Sequence, residues 1–310
     1  MTPEHMRALL ERADRVLEKE LFFVCGAPKS GTTWVQRLLD AHPEVACAGE
    51  GHFVDTLMPL LSKAFGEYNK QQKLVAERVY EHKPYYAGLT RDHHAIAAAL
   101  LIALVISERG LKEGVRCVGD KTPRYAEHLD RLRELFPSAK VIHVVRDGRD
   151  VVASTCYHVL RTGDQNAFKK DDLNFYKWVE RFAGTWAATV SAAESFARRH
   201  PTSTHTVRYE DLSEKPLEAI AGLLRFLGVD AAPDRVRECR EAASFEKLSG
   251  GRKPGEEKAT AFLRKGAVGD WRNHFDEHAL ALFERKAGGL MRRLGYRGDG
   301  PAAGPVRLDQ

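Results

Sequence analysis

The run Leu21-Phe22-Phe23-Val24-Cys25 stops at Gly26 and Pro28, and apolar residues resume at helical spacing with Trp34, Val35, Leu38 and Leu39. An unbroken apolar run bounded by glycine and proline reads as a strand buried on both faces, and the spaced residues after it read as a helix. Strand, glycine loop, helix is the opening of a βαβ unit. The alternation recurs. Arg116 to Gly119 is a short candidate strand, with a helix from about Arg124 to Phe136. Lys140 to Val145 is a second, followed by the helical VVASTCYHVL, and Thr204 to Arg208 is a third. Long helical periods cover Asn174 to Arg199, Leu217 to Leu227 and His278 to Leu294. This pattern predicts an α/β domain with a central parallel sheet flanked by helices on both faces. One domain over 1–310 is expected, with an N-terminal helix within 1–18, a mobile glycine-rich loop over 249–265 and a disordered tail over 298–310.

Composition narrows the function classes. With 43% apolar and 29% charged residues, the 310-residue chain can bury a large core, which excludes a disordered, collagen-like or disulfide-stapled protein. Its formal charge of +5 is too small to argue for a nucleic-acid or membrane partner, so the question is whether the excess is scattered or gathered. Cys25, Cys47, Cys117, Cys156 and Cys239 are widely spaced with no C-x-x-C pair, which speaks against a zinc site and for reduced thiols in the cytoplasm. The N-terminal stretch lacks the apolar core of a secretory signal. The longest apolar run, Ala95 to Ile106, is shorter than the roughly 20 residues of a transmembrane segment and is expected as a buried helix.

The segment Gly26-Ala27-Pro28-Lys29-Ser30-Gly31-Thr32-Thr33 lies between strand and helix. Unpaired N–H groups at a helix N-terminus bind phosphate, glycines permit close approach, and the hydroxyls of Ser30, Thr32 and Thr33 add donors. A tight turn into a capped helix is the plainer alternative. Gly26 and Gly31 have the Walker spacing, but Thr32 occupies the lysine position and the lysine stands three residues earlier, at Lys29. The Walker-B-like VIHVVRD places Arg146 before Asp147, which disfavours magnesium there. The site is built to hold an anion with protein cations alone, and no metal is expected.

These residues, PKSGTTW after a strand, resemble the 5′-phosphate loop of sulfotransferases that use 3′-phosphoadenosine 5′-phosphosulfate (PAPS). Two more segments carry the resemblance. VIHVVRDGRDVVASTCYH is similar to the family's 3′-phosphate segment, which here supplies Arg146 and Ser154. Arg264-Lys265-Gly266-Ala267-Val268-Gly269-Asp270-Trp271 matches the R-K-G-x-x-G-D-W signature. The resemblance implies the P-loop-like sulfotransferase fold, PAPS as co-substrate and PAP as product. It places Lys29, Ser30, Gly31, Thr32 and Thr33 on the 5′-phosphate, Arg146 and Ser154 on the 3′-phosphate, and Arg264, Lys265 and Gly266 among the cofactor-binding residues. Trp34 and Phe245 are implied to flank the adenine, with Tyr209 of the YEDL stretch nearby. Surface salt bridges of Arg146 with Asp147 or Asp150, a solvated loop at Arg264 and Lys265, and core packing of the aromatics are the structural alternatives.

The resemblance implies that Lys29 neutralises the departing bridging oxygen and that Lys121 contacts the sulfuryl group. Members acting on phenols and steroids carry a K-T-H motif whose histidine is the base, whereas this chain reads Lys121-Thr122-Pro123. The run Asp40-Ala41-His42-Pro43-Glu44-Val45-Ala46-Cys47-Ala48-Gly49-Glu50 instead resembles the glutamate-bearing loop of tyrosylprotein sulfotransferases. Glu50 is therefore the expected base, with burial raising its affinity for a proton, and His52 is the competitor. The acceptor, a small molecule, lipid or sugar, is expected in a pocket formed around Phe53 to Tyr86 and lined by Phe53, Leu57, Tyr68, Tyr80, Tyr85 and Tyr86. The oligomeric state stays open, because Asp276-Glu277 replace the Thr-Val of the vertebrate dimerisation motif. A P-loop kinase or ATPase and a non-catalytic PAP-binding module are the competing readings.

Overall fold

Phe22 to Gly26 is buried throughout and alternates between two cores, and this makes the first strand the spine of the molecule. In the computed structural model, residues 1–80, 82, 83, 85–162, 172–258, 261 and 263–296 are described. Strands β1 (Glu20–Gly26), β2 (Val45–Gly49), β3 (Cys117–Lys121), β4 (Lys140–Val145) and β5 (Thr204–Arg208) form one all-parallel sheet in the order β2-β3-β1-β4-β5. Along the chain, helices α1 (Pro3–Leu17), α2 (Thr32–Asp40), α3 (Met58–Val79), α4 (Arg91–Ser107), α5 (Leu129–Leu135), α6 (Gly148–Arg161) and α7 (Asp172–Arg199) intervene. After β5 come α8 (Tyr209–Glu214), α9 (Pro216–Leu227), α10 (Pro233–Ala242), α11 (Phe245–Ser249) and α12 (Glu277–Arg293).

The alternation in β1 sorts the layers. Phe23 and Cys25 join Val16 of α1, Ile102 of α4 and Leu132 of α5 on one face. Phe22 and Val24 join Leu38 of α2, Leu224 of α9 and Cys239 of α10 on the other. A third cluster packs α6, α7 and α12 around Trp186, Trp271 and Phe283. The expected α/β architecture is therefore present, and the strand order reverses at β1, where such sheets open a crevice at their carboxyl ends.

Two expectations change. β2 has no counterpart among the expected strands, because Val-Ala-Cys-Ala-Gly has only one β-branched residue and no long apolar run. The Ala95–Ile106 segment lies in α4 but only one side is buried: Ala98, Ile102 and Ala103 are inside, while Ile96 is 66% exposed. No helix among the described residues is long and apolar enough to cross a membrane. Within the 249–265 loop, the described residues beyond Ser249 form no helix or strand, and the Arg252 guanidinium donates to the carbonyls of Glu256, Leu263 and Arg264. The tail expected over 298–310 lies outside the described residues. All five cysteines are free and buried.

His143 sits in the middle of β4 opposite Cys25, fully buried, with neither ring nitrogen hydrogen-bonded. Burial lowers its pKa from 6.5 to about 4. The unfolded chain binds this proton below about pH 6.5 and the folded one does not, so the stabilisation is present above pH 6.5 and is lost as pH falls toward 4. Urea unfolding from about pH 7 to about pH 4 should show wild type losing up to about 3 kcal/mol more than His143→Leu. Parallel losses in the two proteins would refute the assignment.

Candidate active site

Each strand delivers a candidate residue at its carboxyl end. β1 leads into Lys29 to Thr33, β2 into Glu50, β3 ends on Lys121, β4 is followed by Arg146 and β5 by Tyr209. A cavity of about 600 Å³ collects all of these except Ser30 and Lys121, which do not line it. Its lining includes Lys29, Gly31, Thr32, Thr33, Trp34, Glu50, His52, Arg146, Ser154, Tyr209, Phe245, Arg264, Lys265 and Gly266. Residues from separate stretches of the chain thus meet at one place.

The loop after β1 is shaped for an anion. Gly31 caps α2 with φ +94°, and a Cβ there would stand 2.5 Å from the Tyr209 ring. Trp34 and Val35 bond back to the Gly31 carbonyl, leaving the preceding N–H groups without intrahelical acceptors. The Ser30 Oγ is buried with no hydrogen-bond partner, an orphaned donor inside the loop. Lys29 itself has φ +73°, which is uncommon for a side chain of its size. Burial, followed by Arg161, Arg146 and Arg264, lowers its pKa to about 8, with Glu50 opposing.

The 3′-phosphate candidates are present and are held by carboxylates. The Arg146 guanidinium lies 4.2 Å from the Tyr209 ring centre, donates to the carbonyls of Ala267 (2.9 Å) and Lys29 (3.3 Å), and approaches Asp150 at 3.4 Å. Its Nε is buried and without a partner, so its donors are not exhausted. Asp150 also accepts the N–H groups of Gly269 (2.8 Å) and Trp271 (2.9 Å), tying the G-D-W segment to α6. Arg264 pairs with Asp270 and, at 2.6 Å, with Glu257; Lys265 reaches Asp270 at 2.5 Å. Burial would raise the Asp270 carboxyl, but hydrogen bonds from His274, Lys265 and Arg264 outweigh it and hold it well below the carboxylate range. Arg264 and Lys265 are therefore partly buried cavity residues rather than a solvated loop.

Asp147, the would-be metal carboxylate, is taken up by Arg149: one oxygen accepts the Arg149 N–H (2.9 Å) and Nε (3.0 Å), the other its NH2 (2.7 Å). A carboxylate forked onto guanidinium has little capacity left for magnesium. Among the described residues no cluster suited to a metal occurs.

Trp34 and Phe245 both line the cavity. Trp34 donates its indole N–H to the Ala243 carbonyl and meets Tyr209 edge-on at 5.4 Å. Gly266 has φ +64°, and a Cβ on it would collide with the Phe245 ring at 2.5 Å. Tyr209 packs beneath Gly31 and Arg146 as a wall of the site.

On the opposite side Lys121, whose side chain is 4% exposed, reaches the Glu50 carboxylate at 2.5 Å. The Glu50 side chain is 48% exposed, so the burial expected of a tuned carboxylate base is not what surrounds it. His52 Nε2 stands 3.8 Å from Glu50 Oε2, and its Nδ1 lies 2.9 Å from Asp55 Oδ2. Glu50 and His52 both take positive φ, +62° and +49°. Four successive N–H groups hold that strained loop: Glu50 to the Lys121 carbonyl, Gly51 to Asp120, His52 to Thr122 Oγ1 and Phe53 to the Tyr125 hydroxyl. Asp120 also accepts from Thr122 (2.9 Å) and Tyr125 (2.8 Å). Asp120 and Tyr125 hold the site together without standing out in the sequence, their place beside the K-T-P triplet being the only signal they carry; Asp150, expected as an alternative partner of Arg146, does pair with it at 3.4 Å.

The acceptor expectation needs correcting. None of Phe53, Leu57, Tyr68, Tyr80, Tyr85 or Tyr86 lines the cavity. Phe53 and Leu57 belong to the core under β1, and the four tyrosines are exposed around α3. Pro123, Arg124, Thr155 and His158 line the cavity beside His52 instead.

Comparison with known proteins agrees with this geometry. The model of the Sulfotransferase family matches residues 22–234. Protein-tyrosine sulfotransferase 2 of Gallus gallus is 28% identical over 239 residues, covering 74% of this chain and 58% of that one. An uncharacterized protein of Aquifex aeolicus is 29% identical over 229 residues, covering 73% of this chain but 27% of its own length. The chain thus spans well under two thirds of both these relatives. A mouse sulfotransferase solved in complex with PAP superposes with a TM-score of 0.53 at 16% identity, covering 92% of this chain and 89% of that one. A sulfotransferase from Mycobacterium avium superposes at 0.52 with 13% identity, covering 96% and 88%. With more than half of its residues matched by the family model and the same fold in solved members, the chain belongs to the sulfotransferase family.

Proposed function

We propose that the protein transfers the sulfuryl group of PAPS to a hydroxyl or amine acceptor, giving PAP and a sulfated product. The observation that carries this reading is the meeting of Lys29, Arg146, Arg264 and Lys265 with Glu50 and His52 around one cavity. A multiply anionic ligand suits a cavity that gathers this many cations. The orphaned Ser30 Oγ and Arg146 Nε fit phosphate oxygens, and the missing Cβ at Gly31 and Gly266 lets the Tyr209 and Phe245 rings pack close against the loops that carry them. The mouse neighbour was solved with PAP, which supports the same ligand class here.

The residues divide the work. The α2 N-terminus with Ser30, Thr32 and Thr33 takes the 5′-phosphate, and Arg146, Ser154, Arg264 and Lys265 take the 3′-phosphate. Trp34 and Phe245 hold the base between them. Glu50 removes the acceptor proton as the new S–O bond forms, with His52 as the adjoining proton acceptor. Lys29 neutralises the bridging oxygen as its bond to sulfur breaks, and Lys121 steadies the sulfuryl oxygens. Positioning and charge stabilisation supply most of the rate, as in phosphoryl transfer. The saturated Asp147 and the lysine-free Walker position speak against magnesium-dependent ATP chemistry. The acceptor is a small molecule, lipid or sugar, and a cytoplasmic setting is consistent with five free thiols.

Calorimetry should show PAP binding without magnesium and ATP binding more weakly with or without it. Stronger, magnesium-dependent ATP binding would overturn the reading. Glu50→Gln should lower turnover by about 10²- to 10⁴-fold while PAP affinity stays within about twofold. Near-normal turnover would remove Glu50 as base. Because Lys29 titrates near 8 and its charged form binds the anion, PAP affinity should fall as pH rises through about 8. Lys29→Arg, charged at every accessible pH, should flatten that alkaline limb. An unchanged limb would show that Lys29 does not set it.

A further inference from the structure

Asp55 belongs to the tight turn Phe53–Leu57 that carries the chain from β2 into α3. Its side chain is 1% exposed, and its Oδ1 has no hydrogen-bond partner. A buried carboxylate is costly unless something rewards it. Among the described residues, the polar side-chain group its Oδ2 meets is His52 Nδ1, at 2.9 Å. An ionised carboxylate can only accept, so this contact puts the ring proton on Nδ1 and leaves Nε2 bare. Nε2 is the nitrogen that stands 3.8 Å from Glu50 Oε2, beside Lys121 at 2.5 Å from the other Glu50 oxygen. His52 and Glu50 line the cavity; Asp55 does not.

We propose that Asp55 is a positioning residue: it fixes the tautomer and direction of the His52 imidazole so that Nε2 faces Glu50 as a proton acceptor. The step moves one proton. The acceptor O–H bond breaks toward Glu50, and the Glu50 proton passes to His52 Nε2. That leaves Glu50 ionised and His52 as an imidazolium between two carboxylates. The positive φ at both Glu50 and His52, held by Asp120, Thr122 and Tyr125, is the backbone strain that brings the pair together. This inference rests on the sulfuryl-transfer reading for its kinetic consequence, but not for the tautomer.

The test joins two measurements on the full chain. Imidazole ¹⁵N spectra, assigned with His52→Ala, should show His52 protonated on Nδ1 in wild type. Asp55→Ala should release it to the mixed tautomers of a free ring, and Asp55→Asn, whose amide oxygen still accepts, should keep it on Nδ1. With radiolabelled PAPS and the best acceptor from a panel of 2-naphthol, a long-chain alcohol, a monosaccharide and a tyrosyl peptide, Asp55→Ala should lower kcat about 10- to 100-fold. KM for PAPS should stay within about twofold, and Asp55→Asn should recover part of the loss. Should Asp55→Ala not fold, Asp55→Asn decides through a lowered kcat at unchanged KM. A His52 tautomer indifferent to Asp55→Ala, or a loss that appears in KM alone, would overturn the assignment. If no acceptor in the panel is sulfated, the transfer reading fails while the spectra still decide the role of Asp55.

Discussion

Mutual repulsion among cations gathered at one end of a sheet is the constraint around which this site is arranged. Burial and, after it, Arg161, Arg146 and Arg264 together lower the Lys29 pKa to about 8. A protein holds such a cluster together only by interleaving opposite charge. Here Asp150 faces Arg146, Asp270 and Glu257 face Arg264 and Lys265, and Glu50 faces Lys121. The carboxylates are therefore part of the anion site. Asp150 and Asp270 also fold the G-D-W segment, so the groups that balance the charge shape the loop that carries it.

A second constraint is backbone strain. Lys29, Glu50 and His52 are three of the four non-glycine residues with positive φ among those described, and all three line the cavity. Such conformations persist where surrounding bonds over-determine them. For the loop after β2 those bonds come from Lys121, Asp120, Thr122 and Tyr125, three of them side chains from β3 and the turn beyond it. Register between β2 and β3, with Gly49 opposite Lys121, brings the two ends level. The strained loop therefore depends on a strand pair, and the proton-transfer groups depend on the loop.

This explains what can and cannot be read from the chain. β1 and β4 are legible because apolar runs bounded by glycine, proline or charge have few other solutions, and Lys140–Val145 and the β-branched Thr204–Arg208 match their strands residue for residue. The phosphate loop is legible because its chemistry is local. β2 is not, since five small residues gain their strand state from pairing with β3 and not from their own preference. Asp120, Asp55 and the bonds from Asp150 to the G-D-W segment stay hidden for a related reason, although the Arg146–Asp150 pair is among the structural alternatives for Arg146. Their partners lie up to 121 residues away or in a turn whose geometry no periodicity encodes.

The aromatic residues around α3 show the same limit from the other side. Helical spacing tells that Phe53, Leu57 and Tyr68 share sides of an element, but not which neighbour each side will meet. Phe53 is held inward because its N–H bonds to the buried Tyr125 hydroxyl, which in turn donates to Asp120. The clamp that positions Glu50 and His52 thus also withdraws Phe53 from the cavity. The cavity lining includes Pro123, Arg124, Thr155 and His158 and none of the expected tyrosines, and burial lowers the His158 pKa from 6.5.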